Sequence, residues 1–350
     1  MNQQEFDVII IGAGISGIGN ACHLKKKCPN KSICILENRK QMGGTWDLFR
    51  YPGIRSDSDM YTYGYNFKPW TDQQSIAKGE TILSYLHETV QEYGINNFIQ
   101  YEKEVRQASW CSDSCFWTLN VYDKNKNKFI QFRCKFLLVC TGYYDYKVAY
   151  TPELENKEDF DGLIIHPQFW NKTINYEGKR IVVIGSGATT VTLIPELAKK
   201  ASHVTMLQRS PSYIVSLPDK DLIANILKII LPSKLAYTLT RIKNILFQQF
   251  IYYRALKAPE KLKKKLLSIT RKELKNDSIF EKHFIPKYNP WKQRLCIVPN
   301  GDLFNAFRKG KASIITEEID TLTKNGIKLN SGKELKTDMI ITATGLNLCV

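Results

Sequence analysis

Short continuous apolar runs alternate with stretches of helical period, and the alternation occurs twice. Phe6–Ile11 is apolar on both faces, as a strand buried in a parallel sheet must be. Glycines at 12, 14 and 17 follow, then a helical stretch to about Lys27, then a second strand, Ser32–Leu36, ending at Glu37. Residues 43–70 read as a long loop dense in glycine, aromatics and charge. Ser75–Tyr93 predicts a helix with Ile76, Leu83, Leu86 and Val90 on one face. Residues 98–140 predict a meander in which Phe116–Tyr122 and Lys128–Cys140 flank the polar turn Asp123–Asn127. A second β-α-β unit follows: strand Arg180–Ile184, helix Thr189–Lys200, strand His203–Gln208. Residues 219–276 are helical and broken at Pro232, and 311–342 return to strands. Asp302 and Gly310 carry the N-cap and C′ signals of a short helix.

The pattern predicts an α/β fold with two Rossmann-type dinucleotide-binding domains and a helical insertion. The boundaries expected are 1–148 for the first domain, 149–218 and 279–350 for the two parts of the second, and 219–278 for the insertion. With 350 residues, 43% of them apolar and 24% charged, the chain is globular rather than disordered. No apolar run approaches the ~20 residues of a membrane span, and Glu5 and Asp7 argue against a signal peptide. Nine cysteines without a C-x-x-C pair suit a reduced, cytoplasmic chain, and five scattered histidines give no metal-ligand spacing.

Chemistry concentrates at the two glycine turns. Gly12-Ala13-Gly14-Ile15-Ser16-Gly17 lies between a strand and a helix, with an acid at the end of the next strand. In that context Gly12 permits the tight turn, Gly14 lets backbone approach a pyrophosphate, and Gly17 lets helix and strand pack closely. Glu37 suits ribose hydroxyls and disfavours a 2′-phosphate, so this site should take FAD or NAD. Gly185-Ser186-Gly187-Ala188-Thr189-Thr190 repeats the pattern, but Thr190 adds bulk where Gly or Ala is expected. Arg209 replaces the strand-end acid and can grip a 2′-phosphate in its fork, so NADPH is expected here. A flavin site beside an NADPH site, without a redox cysteine pair, points to an oxygenase rather than a disulfide reductase.

Phe160-x-Gly162-x-x-x-His166-x-x-x-Trp170 resembles the fingerprint of the Baeyer–Villiger flavin monooxygenases, with Asn171 where that family has Pro or Asp. Gly43-Gly44-Thr45-Trp46 and the run Arg50–Asp59 are similar to the family's flavin-side loop. Tyr288–Trp291, Gly301–Phe304 and Ala343–Asn347 resemble its ethionamide-monooxygenase subgroup, and the likeness covers essentially the whole chain. The resemblance implies FAD and NADP as cofactors, and O2 and a ketone or thio-compound as substrates. It further implies oxygen transfer through a C4a-peroxyflavin to give an ester, lactone or oxidised sulfur. It implies that Arg294 stabilises the anionic oxygen species from an apolar pocket, and that Asp57 orients it, with Asp59 an alternative. Gly44, Thr45 and Trp46 would join Gly12, Gly14, Gly17, Glu37 and Asp57 at the flavin; Gly185, Gly187, Thr189 and Arg209 would hold NADP. Phe160, His166 and Trp170 are expected to link domains rather than to act as bases.

In two-fingerprint flavoproteins the strand ending at Thr-Gly carries the chain back to the FAD sheet, and here five residues follow Gly345. The resemblance therefore implies an incomplete FAD domain and leaves open a non-catalytic remnant that binds NADPH or membrane but holds FAD poorly; an N- or S-oxidising flavin monooxygenase is a further alternative. The net charge of +16 is uneven, with 14 Lys and Arg against 4 Asp and Glu over residues 219–276. Beside apolar helical faces this suits a peripheral membrane contact, whereas no nucleic-acid module is present.

Overall fold

The first apolar run forms β1 (Gln4–Ile11), an inner strand, because its buried residues Val8, Ile9 and Ile10 meet apolar neighbours on both faces. Helix α1 (Ile15–Lys27) and strand β2 (Ile33–Leu36) complete the first β-α-β unit, followed by the single turn α2 (Thr45–Leu48). In this computed structural model, which describes residues 4–349, the chain divides into two compact units. Unit 1 holds residues up to 48, 79–144 and those from 348; unit 2 holds 49–78 and 145–347. The segment 49–78, with α3 (Met60–Tyr63), therefore belongs to the second unit rather than to the first domain as the sequence suggests. Long-range bonds explain this: the amides of Ser75 and Ile76 donate to the carbonyl of Asp219, and the Asp59 carboxylate accepts from the side chains of Asn244 and Gln248.

Those bonds also correct the next helix. Ser75 and Ile76 are spent on Asp219, so α4 runs from Gly79 to Glu92 and not from Ser75. The strands β3 (Ile99–Gln100), β4 (Lys103–Cys111), β5 (Phe116–Asp123) and β6 (Lys128–Val139) complete a six-stranded sheet in the order β3-β2-β1-β6-β5-β4. It is parallel from β3 to β6 and antiparallel beyond. Its core is Ile9, Cys34, Leu36, Leu119, Val121, Phe132 and Cys134. Residues 135–139 of β6 pair only with β1 among the described residues, and Phe136 and Val139 are exposed there.

Unit 2 is built on a parallel five-stranded sheet of β7 (Leu163–Ile165), β8 (Arg180–Ile184), β9 (His203–Gln208) and two later strands, with α5 (Ala188–Leu197) following β8. After β10 (Tyr213–Leu217) come the insertion helices α6 (Leu222–Ile230), α7 (Ser233–Lys257) and α8 (Pro259–Leu274), then α9 (Asp277–His283). Pro259 makes a second break that the sequence reading omits, since the ring is accepted at the first helical position of α8. Strand β11 (Leu295–Pro299) pairs with β10, and α10 (Asp302–Arg308) follows. Gly301, in left-handed backbone, takes the N-cap of α10; Asp302 is its first helical residue instead of its cap. Strand β12 (Ala312–Thr316) and the hairpins β13 (Ile319–Thr323), β14 (Gly326–Leu329) and β15 (Glu334–Lys336) lead to β16 (Met339–Thr342). The order β12-β9-β8-β16-β7 makes β16 an inner strand of this unit's sheet.

The residues of the 160–170 motif are internal to unit 2. Phe160 is in its core; His166 Nε2 lies 2.9 Å from the Gly345 carbonyl and must carry the ring proton. Its Nδ1 accepts from the Gln168 amide, and Trp170 packs edge-on against Tyr176. All nine cysteines are free; Cys34 and Cys134 are buried, Cys140 only partly.

Candidate functional site

In unit 1 the glycine turn is shaped by two contacts that side chains would destroy. A Cβ on Gly12, whose φ is +102°, would lie 2.5 Å from the carbonyl oxygen of Cys140. One on Gly17 would lie 1.9 Å from the Gly12 carbonyl oxygen, while one on Gly14 meets nothing nearer than Gly44 Cα at 3.7 Å. Gly14 is thus the position where backbone is open to a ligand. It is also the N-cap of α1 and supplies no side-chain cap, so the helix N-terminus is available to an anion. Glu37 is buried, with Oε2 accepting from the Ala13 amide at 2.8 Å and Oε1 from the Arg39 amide at 2.9 Å. Those bonds fix the carboxylate beside the turn and leave it lone pairs for ribose hydroxyls.

Gly44, Thr45 and Trp46 sit where this turn meets α2. The Gly43 amide donates to the Ala13 carbonyl, and Arg39 donates to the Gly44 carbonyl while pairing with buried Asp47 at 2.6 Å. The Arg39–Asp47 clamp was not singled out from the sequence, since neither residue stands in a periodic pattern; the only clue is that Arg39 follows Glu37 by two.

In unit 2 a cleft of about 1040 Å³ opens along the second glycine turn. Gly185, Ser186, Arg209, Ser212, Tyr288 and Arg294 are among its lining residues. The N-terminus of α5 at Gly187 again has no side-chain cap. Arg209 stands exposed just beyond β9. Thr190, the expected misfit, is fully buried: its Oγ1 takes the space that a Cβ on Gly185 would need, 2.9 Å away. Thr189 does not line the cleft; its hydroxyl bonds to Tyr51, whose phenol is pushed up to about 12 by burial. Gly187 does not line it either, because the Arg294 guanidinium covers it, with Nη1 2.9 Å from where a Cβ would stand.

Arg294 is exposed on the wall of this cleft, not enclosed in the apolar pocket expected of it. Its charge and that of Asp57 both act on the buried thiol of Cys296, Asp57 raising its pKa and Arg294 lowering it, with burial the main cause of a rise to about 12. Asp57 is exposed. Asp59 is already committed: it caps α3 through the Thr62 amide, accepts from the Thr62 hydroxyl, and receives Asn244 and Gln248. Ser186 and Ser212 hydroxyls meet at 2.8 Å in the cleft, and Arg55 clasps Asp302 at 2.5 Å; neither pairing was anticipated. Among the described residues no group of three or more His, Cys, Asp or Glu could hold a metal ion.

The model of the family described as flavin-binding monooxygenase-like matches residues 5–349. The chain belongs to that family. It is 52% identical over 346 residues to the FAD-containing monooxygenase EthA of Mycobacterium tuberculosis H37Rv, covering 99% of this chain and 70% of the relative. It is 47% identical over 347 residues to the probable FAD-binding monooxygenase AlmA of Acinetobacter baylyi, covering 99% and 69%. In fold it is similar to an oxidised steroid monooxygenase bound to NADP, with TM-score 0.79, 20% identity, and 98% and 72% of the two chains covered. A cyclohexanone monooxygenase in an open form gives 0.76 and 19% identity, with 99% and 74% covered. An α/β fold of the Baeyer–Villiger monooxygenase type and a flavin monooxygenase enzyme are thus established.

Proposed function

We propose that this protein uses FAD and NADPH to place one oxygen atom from O2 into a ketone, giving an ester or lactone, or onto sulfur. The observation that carries the cofactor assignment is the contrast between two similar turns: an uncapped helix beside Glu37 in unit 1, and an uncapped helix beside Arg209 in unit 2. The first suits a dinucleotide with free ribose hydroxyls and the second one with a 2′-phosphate. The relatives' FAD-containing and FAD-binding names agree with the first assignment.

When bound, FAD supplies the redox and oxygen chemistry, and the protein supplies binding, orientation and charge. Gly12, Gly14 and Gly17 admit its pyrophosphate to the N-terminus of α1, and Glu37 accepts its ribose hydroxyls. Gly44, Thr45 and Trp46 form the adjoining loop pinned by Arg39. Gly185 would shape the corresponding turn for NADPH and Arg209 would hold its 2′-phosphate, with Gly187 reached through the Arg294 that covers it and Thr189 acting indirectly, by holding Tyr51. Arg294 lies against the uncapped N-terminus of α5, where a cation is electrostatically misplaced unless an anion joins it. We assign it to the dinucleotide phosphates and to negative charge developing at the reacting oxygen, with Asp57, not Asp59, as the acid that tunes it.

The test is an absorbance spectrum of the protein loaded with FAD, first with NADPH under anaerobic conditions, then with oxygen and a ketone or thioether. Bleaching by NADPH, recovery with oxygen and a product heavier by one oxygen are expected. Failure to retain flavin, or recovery that yields only peroxide, would overturn the reading. Arg294→Ala should keep flavin while losing oxygenated product.

A further inference from the structure

Helices α6 and α7 of the insertion turn large apolar residues outward, the reverse of an ordinary surface helix. On α6, Leu222, Ile223, Ile226, Ile229 and Ile230 fall on one face, and Ile229 is 86% exposed. On α7, Leu235, Leu239, Ile242, Leu246, Phe250 and Tyr253 form a stripe at three- and four-residue spacing, all of it exposed. The orientation is fixed by polar anchors. Lys228 donates to the carbonyls of Thr71 and Asp72, and Arg241 to those of Tyr61 and Gly64. The Tyr237 hydroxyl donates to the Tyr65 carbonyl, and Lys243 pairs with Asp221 at 2.5 Å, tying the middle of α7 to the start of α6. Rotating either helix to bury its apolar face would break these bonds.

Basic residues adjoin this face. Arg254, Lys257, Lys261, Lys263, Lys264 and Lys265 run from the end of α7 into α8, against the single acid Glu260. None of the six forms an ion pair with a described carboxylate. Exposed apolar side chains beside a dense positive cluster match the two needs of interfacial binding: insertion among acyl chains and attraction to anionic headgroups. A protein partner would satisfy the first without requiring the second. No described helix is long and apolar enough to cross a membrane, so the contact is with one surface.

We propose that the α6–α7 hairpin and the basic start of α8 dock this protein on an anionic lipid bilayer. The test is flotation of the purified chain with phosphatidylcholine vesicles, with or without phosphatidylglycerol. Two exposed-site variants accompany it: Ile229→Asp with Leu246→Asp, and Lys261→Glu with Lys264→Glu and Lys265→Glu. The chain should float with anionic vesicles. Each lysine near such a leaflet is worth about a fivefold change in partitioning, so the triple charge reversal should lose at least on the order of 100-fold. Binding should weaken from roughly 0.01 M to roughly 1 M salt, as the Debye length falls from about 30 Å to about 3 Å. The aspartate variant should lose binding with unchanged circular dichroism. Equal flotation with neutral and anionic vesicles, or insensitivity to both variants, would overturn the proposal. So would a lipid-free dimer that the aspartates break in a chain that does not float, which would assign the face to a second copy.

Discussion

Arg209→Ala should weaken NADPH binding by about 10- to 150-fold and leave NADH nearly unchanged, the range given by the ~1.5–3 kcal/mol of a charge-assisted hydrogen bond. An ordinary exposed ion pair is worth only ~0.2–1 kcal/mol, a factor of about 1.4 to 5, so the size of the loss is informative. Two features favour the larger figure. No described carboxylate forms an ion pair with Arg209, so its fork is available to the 2′-phosphate. Glu317, Glu318 and Asp320 line the same cleft, and the Glu317 amide bonds to the carbonyl of Gln208, the residue before Arg209. The Ser331 hydroxyl holds the Glu317 carboxyl below its usual range, so it stays ionised. Without Arg209 that negative rim faces the 2′-phosphate unopposed. Titration of the purified chain by nicotinamide fluorescence measures both affinities without turnover. Arg209→Lys should fall between, since it keeps the charge and loses the fork. A loss under about fivefold, or an equal loss for NADPH and NADH, would refute the reasoning, because Arg209 would then not be reading the 2′-phosphate.

Gly14→Ala and Gly17→Ala should separate ligand role from packing role. The first, with 3.7 Å of room, should fold normally yet release flavin, whereas the second drives a Cβ onto a backbone oxygen and should lower thermal stability as well; retention of flavin and melting temperature report both. Burial holds His166 and His283 below the usual imidazole pKa, so the unfolded chain binds protons that the folded one refuses. Stability should be full above an unfolded pKa of about 6.5 and be lost as pH falls below it, and His166→Gln should flatten that slope in melts from about pH 7.5 to 5.5. Asp302→Ala strands Arg55, which is 11% exposed, and should cost ~1.5–3 kcal/mol, read as a drop of several degrees in melting temperature; no change would make the clasp dispensable.

The two β-α-β units were legible because buried parallel strands must be apolar on both faces and because a phosphate turn requires glycine. Phe6–Ile11 and Arg180–Ile184 announce themselves locally. The membership of residues 49–78 was not legible, since it depends on single backbone bonds such as Ser75 to Asp219, which leave no periodic trace. Periodicity showed that α6 has an apolar face but not which way it points. That depends on Lys228 and Arg241, which in sequence look like solvated charges and in the structure bind carbonyls. For Arg294 the motif located the residue, but its exposure comes from its place at the start of β11, where it lies over Gly187. One further repeat is visible in the sequence itself: Cys140-Thr141-Gly142 and Ala343-Thr344-Gly345 each close a strand beside a glycine turn.

That repeat explains how one turn geometry tolerates different residues at its third position. In unit 1 the Cys140 carbonyl would stand 2.5 Å from a Cβ on Gly12, and in unit 2 the Ala343 carbonyl would stand 2.3 Å from one on Gly185. The first glycine is therefore demanded twice, by the neighbouring strand and by its positive φ, whatever the ligand. The third position differs. Gly17 must be glycine because its α-carbon faces the Gly12 carbonyl, where a methyl would be 1.9 Å away. At Thr190 the side chain instead fills the space that Gly185 leaves by lacking a Cβ, so the bulk is absorbed by packing. The second turn thus departs from the expected pattern while its helix N-terminus keeps no side-chain cap and lies under the Arg294 guanidinium. Discrimination between the dinucleotides then falls to the strand ends: Glu37, fixed by two amides, and Arg209, exposed in its cleft. Exchanging those charges should change which ribose is read while leaving both turns intact.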